Sequence, residues 1–294
     1  MQQAGVPARI EVVEVGPSDG LRHERTAIAA PDRVELVERA LAAGLRRIEV
    51  AAFGADSGEP ERLLAALPRP DGVRYLALVL DEPGLDRAAV AGVDEVNAIV
   101  AATDGHAART RRSSTEQDLA RWAELAARAH RHGLRPIATI AVAFGCPLEG
   151  EVSAEHVAAL ARRIADAGPA EIVLADTAGI GVPTQVVRVL ERVREEAPGV
   201  PVRCHFHNTR NTGYANAATA FLEGVAALDA SIGGIGGSAT RPGFGGTIAT
   251  EDLAYLLTGM GVHTGLDADE LAATGTWLGE RLHREVPAML GKTR

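Results

Sequence analysis

Apolar residues in this chain follow two rhythms. Short, nearly continuous runs rich in Val, Ile, Leu and Ala fall at residues 10–15, 47–53, 74–80, 95–102, 136–144, 171–176, 202–207 and 228–233. Continuity without strict alternation predicts strands covered on both faces. Between the runs lie longer amphipathic stretches at 31–43, 114–132, 153–167 and 212–223, stopped by Gly44, Gly133, Gly168 and Gly224, and a further helix opened by Pro183. Eight such alternations predict an α/β protein built as a closed (β/α)8 TIM barrel. A doubly wound open sheet would need fewer strands and a phosphate-binding Gly-rich turn. Strand one runs instead into Gly16-Pro17-Ser18-Asp19-Gly20. Stretches 251–260 and 267–283 read as extra C-terminal helices closing the barrel at about 250–283. No linker or low-complexity segment interrupts 1–294, so one catalytic barrel domain is expected.

The length of 294 residues suits one such barrel. Aromatics are only 3%, so the core must be built from Ala, Val, Leu and Ile. A net charge of −9 argues against a nucleic-acid surface, though a local Arg cluster can still bind an anion. Two cysteines, Cys146 and Cys204, make no disulfide framework. The start has no apolar signal core and no run is long enough for a bilayer, which points to a reducing cytoplasm and no membrane partner.

Barrel chemistry collects where strands end. His205 and His207 are two apart at the end of a predicted strand, so both imidazoles face one side and form half of a metal site. An oxygen ligand must come from elsewhere. Glu49 lies inside an apolar run, and a buried carboxylate needs a charged partner or a role. Asp176 is either a site acid or a cap for the next helix. Arg109, Arg111 and Arg112 form a solvated loop or an anion site. Cys146 precedes Pro147 with no His nearby in sequence, a poor nucleophile. The glycines from Gly233 to Gly237, followed by Ser238, Arg241 and Thr247, form either a tight corner or a mobile lid.

Several stretches together resemble the 3-hydroxy-3-methylglutaryl-CoA lyase family of metal-dependent barrel lyases and Claisen-type synthases. They are Val13-Glu14-Val15-Gly16-Pro17-x-Asp19-Gly20-Leu21, Ile48-Glu49, Phe144-Gly145-Cys146-Pro147-x-Glu149-Gly150, Asp176-Thr177-x-Gly179-x-Gly181-x-Pro183, His205-Phe206-His207-x-Thr209, Gly233-Gly234-Ile235-Gly236-Gly237 and Ala249-Thr250-Glu251-Asp252-Leu253. The resemblance runs from Ile10 to about Leu282.

It implies a divalent cation, Mg²⁺ or Mn²⁺ first, with Zn²⁺, Co²⁺ or Fe²⁺ also suited to the donor set. The implied ligands are Asp19, His205 and His207, with Thr247 where the family has Asn. It also implies retro-Claisen or retro-aldol cleavage of a hydroxy acid or acyl-CoA thioester, and a homodimer. Four chemistry-bearing positions differ from the family: Ser18 for Arg, Thr139 for Tyr, Ser238 for Cys and Thr247 for Asn. The expected catalytic residues are Arg22, Glu49, Asp176 and Ser238, with Ser18, Thr139 and Arg241 binding substrate. Arg22 or Arg241 would stabilise the enolate. The divergence predicts a substrate other than the parent one. The alternatives are a condensing synthase, or an inactive barrel that binds an acid or CoA ester.

Overall fold

The computed structural model describes residues 8–22, 24–54, 58–237 and 245–293. Eight strands are formed: β1 (Glu11–Glu14), β2 (Arg47–Phe53), β3 (Arg74–Val79), β4 (Glu95–Ala101), β5 (Arg135–Ala141), β6 (Glu171–Asp176), β7 (Val202–Phe206) and β8 (Ala227–Ala230). They pair in parallel and close in chain order into a barrel. The helices are α1 (Ala30–Ala42), α2 (Glu59–Ala66), α3 (Glu82–Ala91), α4 (Asp104–Arg111), α5 (Thr115–Arg131), α6 (Ala154–Ala165), α7 (Pro183–Glu196), α8 (Gly213–Leu222), α9 (Thr250–Gly259) and α10 (Ala268–Leu282). The (β/α)8 expectation holds. Short α2, α3 and α4 were absent from the sequence-based assignment, since each spans only about two or three turns.

Local signals explain the boundaries. α5 opens with a reciprocal cap, Ser114 accepting from the Gln117 amide while the Gln117 side chain accepts from Ser114 N–H. β5 stops three residues before the predicted end. Val142 there adopts φ 54°, a costly conformation for a β-branched residue, and its N–H donates to Thr177 Oγ1 at 3.0 Å. β8 stops at Ala230, and Gly233 at φ 76° turns the chain through a conformation that suits glycine. Two buried carboxylates hold this corner. Glu14 accepts from Gly16 N, Ile232 N and Thr250 Oγ1, and Glu251 accepts from Gly233 N.

The main core lies between barrel and helices, with Leu36, Val37, Phe53, Trp122, Leu190 and Phe221 among its buried side chains. The barrel interior differs from the apolar expectation. In a tilted barrel, neighbouring partners step by about one residue, so inward side chains of alternate strands share a level. The registers stack Arg47, Glu95, Glu171 and Ala227, then Val13, Leu76, Ile137 and Arg203. Above them come Glu49, Asn97, Val173 and Asp229, then Val15, Leu78, Thr139 and His205.

Charges in these levels are joined. Arg47 donates to Glu95 at 2.8 Å and to both oxygens of Glu171 at 3.1 and 2.7 Å. Arg203 pairs with Glu171 at 2.9 Å and donates to Asp229 at 2.8 Å. Arg47 is about as buried as its partners, so neither sign can be removed cheaply. Arg47→Met is expected to lower the unfolding free energy by about 3–5 kcal/mol, because Glu95 and Glu171 lose their shared cation. Urea denaturation at neutral pH measures this, and a loss below about 1 kcal/mol would contradict the network's role.

Among the described residues no helix is long and apolar enough to cross a membrane.

Candidate active site

The interior levels deliver polar groups to the C-terminal mouth of the barrel. β7 carries His205, and His207 follows one residue past its end, bridged to Thr247. The turn after β1 supplies Asp19. This Gly16–Gly20 segment is a single π-helical turn. Gly20 is required there, since a Cβ would lie 2.8 Å from Ser231 Oγ and 2.9 Å from Ile235. Ligand atoms of Asp19, His205 and His207 all lie within 4.8 Å of one another. The two imidazole rings are 5.1 Å apart.

The set suits a divalent cation. His205 Nδ1 lies 3.1 Å from Asp229 Oδ2, so Nδ1–H donates to the carboxylate and Nε2 is left as the ligating nitrogen. Burial disfavours charge on His205, but the hydrogen bond and charge of Asp229, with the charges of Asp19 and Glu49, outweigh it and raise the pKa. Concentrated negative charge that favours a proton here also favours a metal cation. The buried Thr247 Oγ1 has no hydrogen-bond partner among the described residues. A hydroxyl left in that state on the residue bridged to His207 matches a weak neutral donor toward a cation.

Ser18, Arg22 and Glu49 stand together beside Asp19. Arg22 donates to Ser18 Oγ at 3.4 Å and lies 4.0 Å from Glu49 Oε1. Burial raises the pKa of Glu49, opposed by Arg22 and by a hydrogen bond from Ser18, and reinforced by Asp19. Asp176 is fully buried, and its carboxylate accepts from Ile180 N at 3.0 Å and Gly181 N at 2.9 Å. Its visible work is to hold the loop after β6. Thr139 donates to Asn97 Oδ1 at 2.8 Å.

Ser238 and Arg241 lie outside the described residues. Of the Arg run, Arg111 pairs with buried Asp118 and anchors α4 to α5, while Arg109 is exposed. Cys146 is buried and accepts from Thr103 Oγ1 at 3.1 Å.

Sequence reasoning did not single out Asp229, Arg203 or Asn97. Asp229 sits inside the apolar run 228–233, the same signal that drew attention to Glu49. Asn97, within 95–102, gives a weaker one because a neutral amide is tolerated in a strand.

A parallel eight-stranded barrel with a carboxylate and two imidazoles converging at its mouth defines a class of barrel suited to a divalent metal. The sequence profile of the HMGL-like family matches residues 9–277, and the chain belongs to that family of carbon–carbon lyases. It is 41% identical to an (R)-citramalyl-CoA lyase of Chloroflexus aurantiacus, over 96% of this chain and 94% of the relative. The structure of a hydroxymethylglutaryl-CoA lyase from Pseudomonas aeruginosa superposes with a TM-score of 0.94 at 33% identity, covering 98% of each chain. That of an HMG-CoA lyase from Acinetobacter baumannii, in complex with coenzyme A and 3-methylmalate, superposes with a TM-score of 0.91 at 30% identity, covering 99% of this chain and 96% of that one.

Loss of Asp229 tests the positioning of His205. Asp229→Asn is expected to weaken Mn²⁺ binding by about 10–100-fold in isothermal titration calorimetry. In the unsubstituted protein a raised His205 pKa means that protons compete with metal, so Mn²⁺ affinity falls as pH drops through that value. The variant, lacking the carboxylate that raises it, is expected to show this fall at lower pH. Equal affinities and equal pH profiles would contradict the assignment.

Proposed function

We propose that the chain is a divalent-metal-dependent lyase that cleaves a 3-hydroxyacyl-CoA thioester by a retro-Claisen or retro-aldol route. The carrying observation is the Asp19–His205–His207 cluster with the Arg22–Ser18–Glu49 group at its side. Family membership and lyase relatives of matching length support the reaction class. The relatives' names, citramalyl-CoA and hydroxymethylglutaryl-CoA lyase, support a short branched hydroxyacyl-CoA.

Asp19, His205 and His207 would hold the metal, with Thr247 as a fourth, weaker donor. An oxygen-and-imidazole set without thiolate favours Mg²⁺ or Mn²⁺. When bound, such a cation draws charge from substrate oxygens and eases loss of the hydroxyl proton. Glu49, whose pKa burial raises above the ordinary carboxylate value, is suited to exchange that proton. Arg22 supplies the cation for the thioester enolate that departs when the carbon–carbon bond breaks. Ser18, in place of a guanidinium, accepts a hydrogen bond from Arg22 and steadies it over Glu49. Asp176 keeps the β6 loop in place.

The test is Mn²⁺-supplemented cleavage of citramalyl-CoA and 3-hydroxy-3-methylglutaryl-CoA, followed by release of acetyl-CoA. His205→Ala with His207→Ala is expected to abolish turnover. Arg22→Ala is expected to lower kcat by about 10²–10³ while Mn²⁺ affinity stays within twofold, with Arg22→Lys retaining part of the rate. Turnover that survives loss of both histidines would contradict the metal role. Condensation without cleavage would make the enzyme a synthase, and binding without either would make it an inactive barrel.

A further inference from the structure

The metal cluster occupies one side of the mouth, on the β1 turn and β7. In a barrel closed in chain order, β4 and β5 lie on the opposite side. Asn97 of β4 shares its level with Glu49 and Asp229, and faces Asp229 across the barrel. Thr139 of β5 stands one level higher, with His205. The opposite wall is therefore polar at two inward positions, above the apolar Leu76 and Ile137 of the tier below.

These two side chains are bonded to each other in a defined sense. Thr139 Oγ1 donates to Asn97 Oδ1 at 2.8 Å. That occupies the acceptor end of the amide and leaves Nδ2, with two N–H groups, as the end without a partner among the described residues. Asn97 keeps 8% of its surface exposed, and an amide donor in so confined a place gains from an acceptor brought to it. Half-buried Thr139 and the residual exposure of Asn97 place that acceptor in the mouth.

We propose that Asn97, oriented by Thr139, is a specificity-determining residue that donates a hydrogen bond to a carboxyl or thioester oxygen of the substrate at the end remote from the metal cluster. A ligand held by Asp19, His205 and His207 through its hydroxyl end crosses the mouth toward β4 and β5. The acceptor at its far end meets Nδ2. The wall selects acyl groups that carry an oxygen there over those that carry a methyl. This rests on the lyase reading for the identity of the substrate, and on the geometry alone for the selectivity.

The probe is 3-methylmalate against 2-hydroxy-3-methylbutanoate, which has a methyl in place of the distal carboxyl. Binding is measured by calorimetry with saturating Mn²⁺. The unsubstituted protein is expected to prefer 3-methylmalate by about tenfold to hundredfold. Asn97→Leu is expected to remove most of that preference by weakening only the diacid, with Mn²⁺ affinity and the affinity for the monoacid unchanged. Thr139→Val is expected to blunt the preference, and Thr139→Ser to restore it. Full preference in Asn97→Leu, equal weakening of both acids, or no binding of either acid by the unsubstituted protein overturns the proposal. Cleavage assays on the same proteins separate the two readings. Retained acid selectivity without any cleavage sinks the lyase and leaves Asn97 its role. Cleavage with selectivity unchanged by Asn97→Leu does the reverse.

Discussion

The hydrogen bond from His205 to Asp229 is the contact on which the mouth of this barrel depends. It fixes one tautomer and aims Nε2 outward. Asp229 can do this because Arg203 holds its other oxygen, and Arg203 is in turn paired with Glu171, which is clamped by Arg47. The ladder runs through the barrel interior, from the N-terminal side to the metal cluster. Buried ion pairs seldom add much net stability over an apolar filling, so a ladder of this kind is better understood as a device for position. A carboxylate held by two partners cannot rotate away from the imidazole it orients.

The rest of the mouth is arranged around that fixed point. Glu14 and Glu251 tie the first turn and the loop after β8 to each other through backbone amides. This brings Asp19 toward the histidines although they are far apart in the chain. Arg22, Ser18 and Glu49 form a second charged group beside the cluster, and Asn97 with Thr139 forms a neutral one across from it. One side of the mouth thus concentrates charge, an arrangement that suits a cation. The other offers hydrogen bonding without charge. On the proposed reading, the two tasks of the site, reaction and choice of substrate, fall on opposite walls.

Much of this was legible in the chain. Eight apolar runs separated by capped helices define the barrel, because strands buried on both faces leave a continuous signature. The spacing of His205 and His207 announced a shared face. The interior ladder was less visible: Arg47, Glu95 and Glu171 open their strands and read as polar boundaries, whereas the staggered registers turn them inward to meet. Asp229 had the same warning as Glu49, a charge within an apolar run, but no neighbour in sequence shows that His205 is its partner. Asn97 and Thr139 lie forty-two positions apart, and only the closed sheet makes them a pair. Asp176 shows the converse. Its motif drew it toward the chemistry, while its carboxylate is occupied by the Ile180 and Gly181 amides.

Anomalous diffraction at the manganese edge, from crystals grown with Mn²⁺, tests the central claim most directly. The account predicts one strong peak within coordination distance of an Asp19 oxygen, His205 Nε2 and His207, with His205 Nδ1 still bonded to Asp229. A mouth without a peak, or a peak reached by His205 through Nδ1 with Asp229 turned away, would contradict it.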